Sequence, residues 1–292
     1  MEPLQVWSLN GERFIGNTPE EIPATVTWLK GLSETEAVVP DVLCLQDFRA
    51  SMVEHLSPLP YFSFVPMTIQ SFWGKRESLG ICIASRWPID EIEIRHTWGD
   101  GVVRNLEGVG EDNERAEPLD VSDALILKTQ NRLAIACSVH RPGDKKPLRV
   151  ATHHGFWVRD GIPTANQMES TVSLCRFLAE QGKRYGGLLY AADYNPDKEG
   201  NVLRTYQQFG GVDCVPLEIQ TTLATHHPAY RFGIRSDCMM VWPDSEGKYH
   251  HAVEDVHLDP TPGSDHDMLC GRVSRLTAPL ENTFGHLTAI CR

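Results

Sequence analysis

Asp193 and Asn195 stand two residues apart in GLLYAADYNPD (187–197), where an apolar run stops abruptly at acid, amide and proline. On a strand, residues two apart project to the same side. A carboxylate there orients or deprotonates an attacking water, and the neutral amide donates to charge developing on a phosphoryl group. The same residues also suit an Asx turn capping a strand. In GSDHDMLCGRV (263–273), Asp265 offers an acid for a metal and His266 an imidazole for a phosphate oxygen, although Ser-Asp-His also reads as a plain loop. Asp237, in FGIRSDCMMVW (232–242), precedes a third apolar run. An acid in that place holds the His266 imidazole in one tautomer and favours its charged form. With Asn10 and Asp47 near the start, the set supplies oxygen ligands, a base for water and a phosphate-facing imidazole, the parts of a divalent-metal phosphoesterase.

Residues so scattered need strands that end together. Short apolar runs bounded by Gly, Pro, Asn or Asp predict strands at 4–8, 42–46, 81–85, 124–128, 133–139, 148–154, 188–192, 238–242 and 268–273. The clearest helix is 165–181, with Met168, Val172, Cys175, Leu178 and Ala179 on one face, Thr164 as its cap and Gly182 closing its end. Further helices are expected at 20–32, with Pro23 in the first turn, and at 201–209. The polar stretch 99–120 reads as an insertion or mobile loop.

Composition sets bounds. The candidate residues run from position 10 to 266 of 292, so one domain over 1–292 is expected. No long apolar stretch marks a membrane span, the start lacks a secretory signal, and the chain reads as cytoplasmic. Its eight cysteines show no C-x-x-C pair and fall largely in apolar runs, against structural zinc and a disulfide framework. A formal net charge of −12 repels polyanions at long range. Arg231 with Arg235, or Lys75 with Arg76, can supply a local basic groove, and each pair also suits solvated surface.

Taken in order, the motifs resemble the endonuclease/exonuclease/phosphatase family. LQVWSLNG (4–11) is similar to its first strand with a metal-site asparagine, and DVLCLQDF (41–48) to its Leu-Gln-Glu motif. GICIASRWPI (80–89) resembles its Gly-x-x-Ile-x-Ser-x-x-Pro-Ile strand and turn, and RVATHHGFW (149–157) its histidine strand. AADYNPD, SDCMMV and SDHD resemble Gly-Asp-x-Asn, the Asp-Tyr-Ile motif and the closing Ser-Asp-His. Each fragment is weak alone, and the ordered set spans nearly the whole chain.

The resemblance implies an α/β fold: a four-layer α/β/β/α sandwich of two mixed sheets with helices outside. It implies one Mg²⁺ or Mn²⁺ near Asp47, assisted by Asn10 and Asp265. It also implies Asp193 as the group that prepares water, Asn195 as a transition-state donor, and Asp237 with His266 as the phosphate clamp. The family's strand histidine corresponds to His153 or His154; strand alternation with Val150 and Thr152 favours His154. His153, Trp157 and Arg235 are further candidates for substrate contact, and the strand histidine not chosen also reads as a packed or hydrogen-bonded strand residue. Phe156, Trp157 and Trp73 suit either stacking on a base or rim packing.

Two departures matter. Asp47 replaces the usual glutamate and is one methylene shorter, and Ala192 stands where glycine is usual. Two function classes follow: a metal-dependent hydrolase of a phosphomonoester or phosphodiester, nuclease or small-substrate phosphatase, and a weakened relative that binds a phosphorylated ligand or protein partner. The negative charge leans toward a small or locally single-stranded substrate. No obligate protein partner is evident.

Overall fold

Leu4 and Val6 point to one side of the first strand, and Trp7 and Leu9 to the other, and both sets are buried. A strand buried on both faces must lie in a covered sheet, and this pattern recurs through the chain. The computed structural model describes residues 2–11, 24–31, 39–56, 58–72, 75–105 and 131–281. The strands are β1 (Leu4–Asn10), β2 (Val42–Arg49), β3 (Tyr61–Phe72), β4 (Lys75–Ser85), β5 (Ile89–Trp98) and β6 (Arg132–Val139). They continue with β7 (Leu148–His153), β8 (Leu188–Asp193), β9 (Val212–Asp213), β10 (Asp237–Trp242), β11 (Lys248–Asp259) and β12 (Met268–Glu281). The helices are α1 (Ala24–Gly31), α2 (Ala165–Tyr185) and α3 (Asn201–Gln208).

The strands form two six-stranded sheets, β11-β12-β1-β2-β4-β3 and β5-β6-β7-β8-β10-β9. Each sheet is mixed, with one parallel pair at its centre, β1 with β2 and β7 with β8, and antiparallel partners around it. Val6, Val42, Cys44, Ile81 and Ile83 of the first sheet meet Ile135, Val150, Leu189, Ala191 and Met239 of the second in a shared core. Trp7, Leu43, Leu45 and Phe48 pack outside the first sheet with Met52 and Trp28, the latter on α1 and stacked on Trp7 at 6.3 Å. Ala151, Tyr190, Met240 and Trp242 pack outside the second sheet against Leu174, Phe177 and Leu178 of α2 and Val202 and Tyr206 of α3. The order helix, sheet, sheet, helix is the expected four-layer sandwich.

Thr164 caps α2, its hydroxyl accepting from the Gln167 N–H at 3.2 Å. Gly182 does not end the helix as expected: α2 runs on to Tyr185 and closes at Gly186, in the left-handed region. A Cβ on Gly182 would come within 2.5 Å of the Pro243 carbonyl oxygen, so this glycine lets the end of β10 approach the helix. Residues 99–105 of the expected insertion lie along β3, where Ile69 N–H donates to the Arg104 carbonyl at 2.8 Å. Residues 106–120, the strand expected at 124–128, Trp73 and Cys291 lie outside the described residues. Among those residues no helix is long and apolar enough to cross a membrane.

This topology gathers the ends of six strands at one edge. Parallel strands β1, β2, β7 and β8 deliver their C-terminal ends to one edge of the sandwich, and antiparallel β10 and β12 deliver their N-terminal starts to the same edge.

Candidate active site

Asp193 ends β8 and Asp237 begins β10, and the two pair directly in the antiparallel register. Opposed residues share a face, so two carboxylates project together where like charge is costly. His266 offsets that cost. Its Nδ1 is 2.8 Å from Asp237 Oδ2 in a buried contact. Burial by itself would lower this imidazole, but Asp237, Asp193 and Asp265 together push it up to about 10. His266 is therefore an imidazolium at neutral pH, with Nδ1–H donated to Asp237 and Nε2 turned toward Asp265, 3.9 Å away.

Two hydroxyls fix this arrangement. Thr222 Oγ1 accepts the N–H groups of both Ser236 and Asp237 at 3.0 Å, setting the entry to β10. Ser264 donates to the Asn10 carbonyl at 2.7 Å and accepts the His266 N–H at 3.1 Å, tying the lead into β12 to the end of β1. Thr222 also accepts Asp267 N–H through its carbonyl, and Ala224 N–H donates to the Asp265 carbonyl, so residues 222–224 line the closing loop. That pairing brings His227 within 3.5 Å of Asp265 and sets its ring 6.5 Å from that of His266.

Asp193 is 1 % exposed. Its Oδ2 accepts from Asn10 Nδ2 at 2.8 Å, and its Oδ1 accepts the Asn195 N–H at 3.0 Å. Burial raises this carboxyl and the Asp237 charge adds to the rise, against the lowering pull of His154, His266 and the Asn10 amide; the net direction is up. A carboxylate held above its ordinary range is a stronger base toward water than a solvated one. His154 stands between two acids, with Nδ1 3.2 Å from Asp47 Oδ1 and Nε2 3.5 Å from Asp193 Oδ2. No hydrogen bond to Nδ1 is aligned, so the contact with Asp47 is electrostatic.

Gly155 explains why this histidine is followed by glycine. Its N–H donates to the Asp193 carbonyl, and a Cβ there would stand 2.3 Å from the Tyr194 oxygen. The loops that carry His154 and Asn195 thus pack backbone against backbone. Gln167, from the first turn of α2, donates to the Phe156 and Asn195 carbonyls at 3.2 and 3.0 Å and binds both loops to the helix. Asn195 takes a left-handed φ of 47° and donates from its amide to the Gly155 carbonyl at 3.3 Å. Asp47, at φ 49°, sits in the β2 bulge between Leu45 and Phe48, which turns its side chain toward His154.

Asn10, His154, Asp193, Asn195, Asp237 and His266 are thus brought together, with Asp47 joined through His154 and Asp265 through His266. Of the three further candidates, two are held by protein partners and one is exposed. His153 is buried, with Nε2 3.1 Å from Thr97 Oγ1, which in turn accepts from Ser170. Burial, Arg132 and His154 hold it well below its ordinary range, and it links β7, β5 and α2 in the packed, hydrogen-bonded position expected of the strand histidine not chosen. The Arg235 guanidinium pairs with Asp213 and donates to the Val215 carbonyl, so it ties the lead into β10 to β9. Trp157 remains exposed beside His154 and Phe156.

Other residues escaped the sequence reading. Arg132 begins β6, is 5 % exposed and lies over the Phe156 ring at 5.7 Å. Burial lowers it, and the charges of Asp47 and Asp193 act against that lowering, which sets its cation next to the acidic cluster. Gln46 donates to Thr152 Oγ1 at 2.8 Å and Ser8 Oγ at 3.3 Å, joining the two sheets beneath the site. Neither Arg132 nor Gln46 has a spacing that sets it apart from ordinary strand residues. His227 had one signal, the His226-His227 pair.

Asp47, Asn10 and Asp265 offer oxygen donors, which suit a hard divalent cation. Among the described residues, no three acids or imidazoles of this site bring ligand atoms within 4.8 Å of one another.

No family model matches the chain, and no curated protein matches it. Solved structures do. An endonuclease/exonuclease/phosphatase from Bacteroides vulgatus superposes with a TM-score of 0.61 at 11% identity, covering 94% of this chain and 100% of that one. The 3′-5′ exonuclease NExo from Neisseria meningitidis gives 0.54 at 14% identity, covering 92% and 98%. Sphingomyelinase C from Streptomyces griseocarneus gives 0.53 at 13% identity, covering 93% and 99%. The chain has the endonuclease/exonuclease/phosphatase fold over nearly its full length.

Proposed function

We propose that this protein is a divalent-metal-dependent phosphoesterase that hydrolyses a phosphomonoester or phosphodiester by in-line attack of water. One observation carries the reading: a buried, proton-seeking Asp193 shares an edge with an imidazolium, His266, held by Asp237. The first takes a proton from water and the second donates to a phosphoryl oxygen, so general base and charge stabiliser meet at one edge of the sandwich.

In this reading Asp193, steadied by Asn10 and the Asn195 N–H, orients the attacking water and accepts its proton as the new P–O bond forms. The His266 Nε2–H and the Asn195 amide donate to the non-bridging oxygens, while the bond to the leaving oxygen breaks. Asp237 keeps the His266 charge in place as phosphate approaches. Asp47, with Asn10 and Asp265, would hold Mg²⁺ or Mn²⁺, which supplies Lewis-acid neutralisation of phosphate charge. His154 orients the Asp47 carboxylate and restrains the charge between it and Asp193.

The neighbours in fold include an exonuclease and a sphingomyelinase, so the fold accommodates both nucleic acid and small head groups. The net charge of −12 supports a small or locally single-stranded substrate, and exposed Trp157 is the side chain we assign to stack on it. The described cysteines are buried thiols packed as small hydrophobes, which supports a reducing, cytoplasmic setting. A second reading, a phosphate-binding protein with little turnover, draws on the shortened Asp47 and its contact with His154.

Hydrolysis of aryl phosphate mono- and diesters, oligonucleotides and phosphocholine lipids, with Mg²⁺, Mn²⁺ or chelator, decides between the two. Metal-dependent turnover lost in Asp193→Asn supports the enzyme. Absence of turnover on every substrate class, with phosphorylated ligand still bound, supports the binding protein.

A further inference from the structure

Away from the residues just described, the outer face of the first sheet carries a second set of metal-ligand side chains. His257 and Asp259 are two apart on β11, and Cys270 lies opposite His257 on β12. A bulge makes this alignment. The register shifts between Glu254 and His257, and Asp255 takes a left-handed φ of 51°. The extra residue resets the alternation so that Val256 and Leu258 face the core between the sheets while His257 and Asp259 face outward with Cys270. Arg272 holds the bulge, with Nη2 2.8 Å from Asp255 Oδ2.

The ligand atoms of the three lie within 4.8 Å of one another, the one such group among the described residues. His257 Nε2 is 3.8 Å from Asp259 Oδ1, and Cys270 Sγ is 3.7 Å from Asp259 Oδ2. Bond lengths around tetrahedral zinc place neighbouring ligand atoms roughly 3.5 Å apart, so only small side-chain movements separate this arrangement from coordination. The imidazole is already oriented. His257 Nδ1 donates to the Asp255 carbonyl at 2.7 Å, which leaves Nε2, 3.8 Å from Asp259 Oδ1, as the nitrogen that carries the lone pair. A backbone carbonyl in this role is the usual outer support of a metal-bound histidine, and here the bulge itself supplies it.

We propose that His257, Asp259 and Cys270 form a binding site for a zinc-class divalent ion, with solvent completing the coordination. One sulfur, one nitrogen and one oxygen ligand select a borderline transition metal over the magnesium suited to the other site. Binding forms a sulfur–metal bond and releases the Cys270 Sγ proton to solvent. The ion would fasten edge strand β11 to β12.

The test is titration of metal-free full-length protein with Co²⁺, followed by the near-ultraviolet sulfur-to-cobalt charge-transfer band. One equivalent should develop the band, Zn²⁺ should abolish it, and excess Mg²⁺ should not. Cys270→Ser should remove it. His257→Gln changes an exposed side chain on an edge strand, so the fold survives, and it should weaken Co²⁺ affinity about tenfold or more. Asp47→Ala should leave the band intact, which separates this site from the proposed hydrolytic one. Absence of a thiolate band, its persistence in Cys270→Ser, or unchanged affinity in His257→Gln overturns the proposal.

Discussion

Asp193 and Asp237 face each other in register across β8 and β10, and His266, from a third strand's approach, bonds to the second of these acids at 2.8 Å. Each acid sits at a strand end where backbone partners are already fixed, so neither can move away from the other. The imidazolium is what makes the pair tolerable, and it is also the group facing the proposed phosphate. Charge balance and chemistry therefore depend on the same contacts.

Asp193→Asn removes the water-preparing base but keeps an acceptor for Asn10, and His266→Asn removes the cation. We expect each to lower kcat by roughly a hundredfold to a thousandfold, a few kcal/mol, with KM changed less. Steady-state kinetics at saturating Mg²⁺ or Mn²⁺, alongside circular dichroism, measures this. Wild-type kcat in both variants counts against the hydrolytic assignment.

Asp237→Asn acts through His266. With the folded imidazole near 10, the charged form persists throughout the neutral range. The stability it contributes is present below its unfolded value of about 6.5 and is lost as pH rises through about 10. Without the Asp237 charge, burial lowers the group, so the variant should keep more activity at pH 6 than at pH 8.5. NMR titration of the His266 ring locates the midpoint, and a midpoint unmoved by the substitution refutes the coupling.

His251 gives the opposite sign. It is buried, and burial, Arg275 and His250 depress it to about 3. The unfolded chain then binds a proton that the folded chain refuses, so stability is full above about pH 6.5 and falls as pH drops toward 3, by at most about 1.4 kcal/mol per unit. Urea midpoints between pH 7 and 4.5 should fall less steeply for His251→Phe than for wild type. Equal slopes rule out His251 as a source of acid lability.

Gly155→Ala places a methyl against the Tyr194 carbonyl and pushes the His154 and Asn195 loops apart. A loss of about 1–3 kcal/mol is expected, with a larger fractional loss of activity than of folded protein. Thermal melts compared with kcat settle it; an alanine variant with both unchanged contradicts the packing described.

Carboxylates that share a cation repel one another without it. Mg²⁺ or Mn²⁺ should raise Tm, with stabilisation of about 2.7 kcal/mol at one hundred times Kd. Asp47→Ala should abolish most of that shift in differential scanning calorimetry. A shift of full size in the variant moves the ion away from Asp47.

The sequence by itself determined the inner strands and much of the site. The described expected strands, at 4–8, 42–46, 81–85, 133–139, 148–154, 188–192, 238–242 and 268–273, are the eight non-edge positions of the two sheets. Buried on both faces, these strands must be apolar almost throughout, and that leaves a run visible in the sequence. The strands it did not reveal, β3, β5, β9 and β11, are the four edges. An edge strand needs only one ladder, so it tolerates Pro66 in β3, alternating acids in β5 and three histidines in β11, which erase the signal. For the site, residue type and position at a run's end pointed to Asn10, Asp193, Asp237 and His266. Only the tertiary structure decided that His154 faces Asp47 and Asp193 while His153 turns to Thr97, that Arg235 is committed to Asp213, and that Arg132 lies near the acids. Periodicity states which side of a strand a residue occupies, but its neighbour there comes from a distant strand, as Asp193 reaches Asn10 across 183 positions, and sheet pairing chooses it.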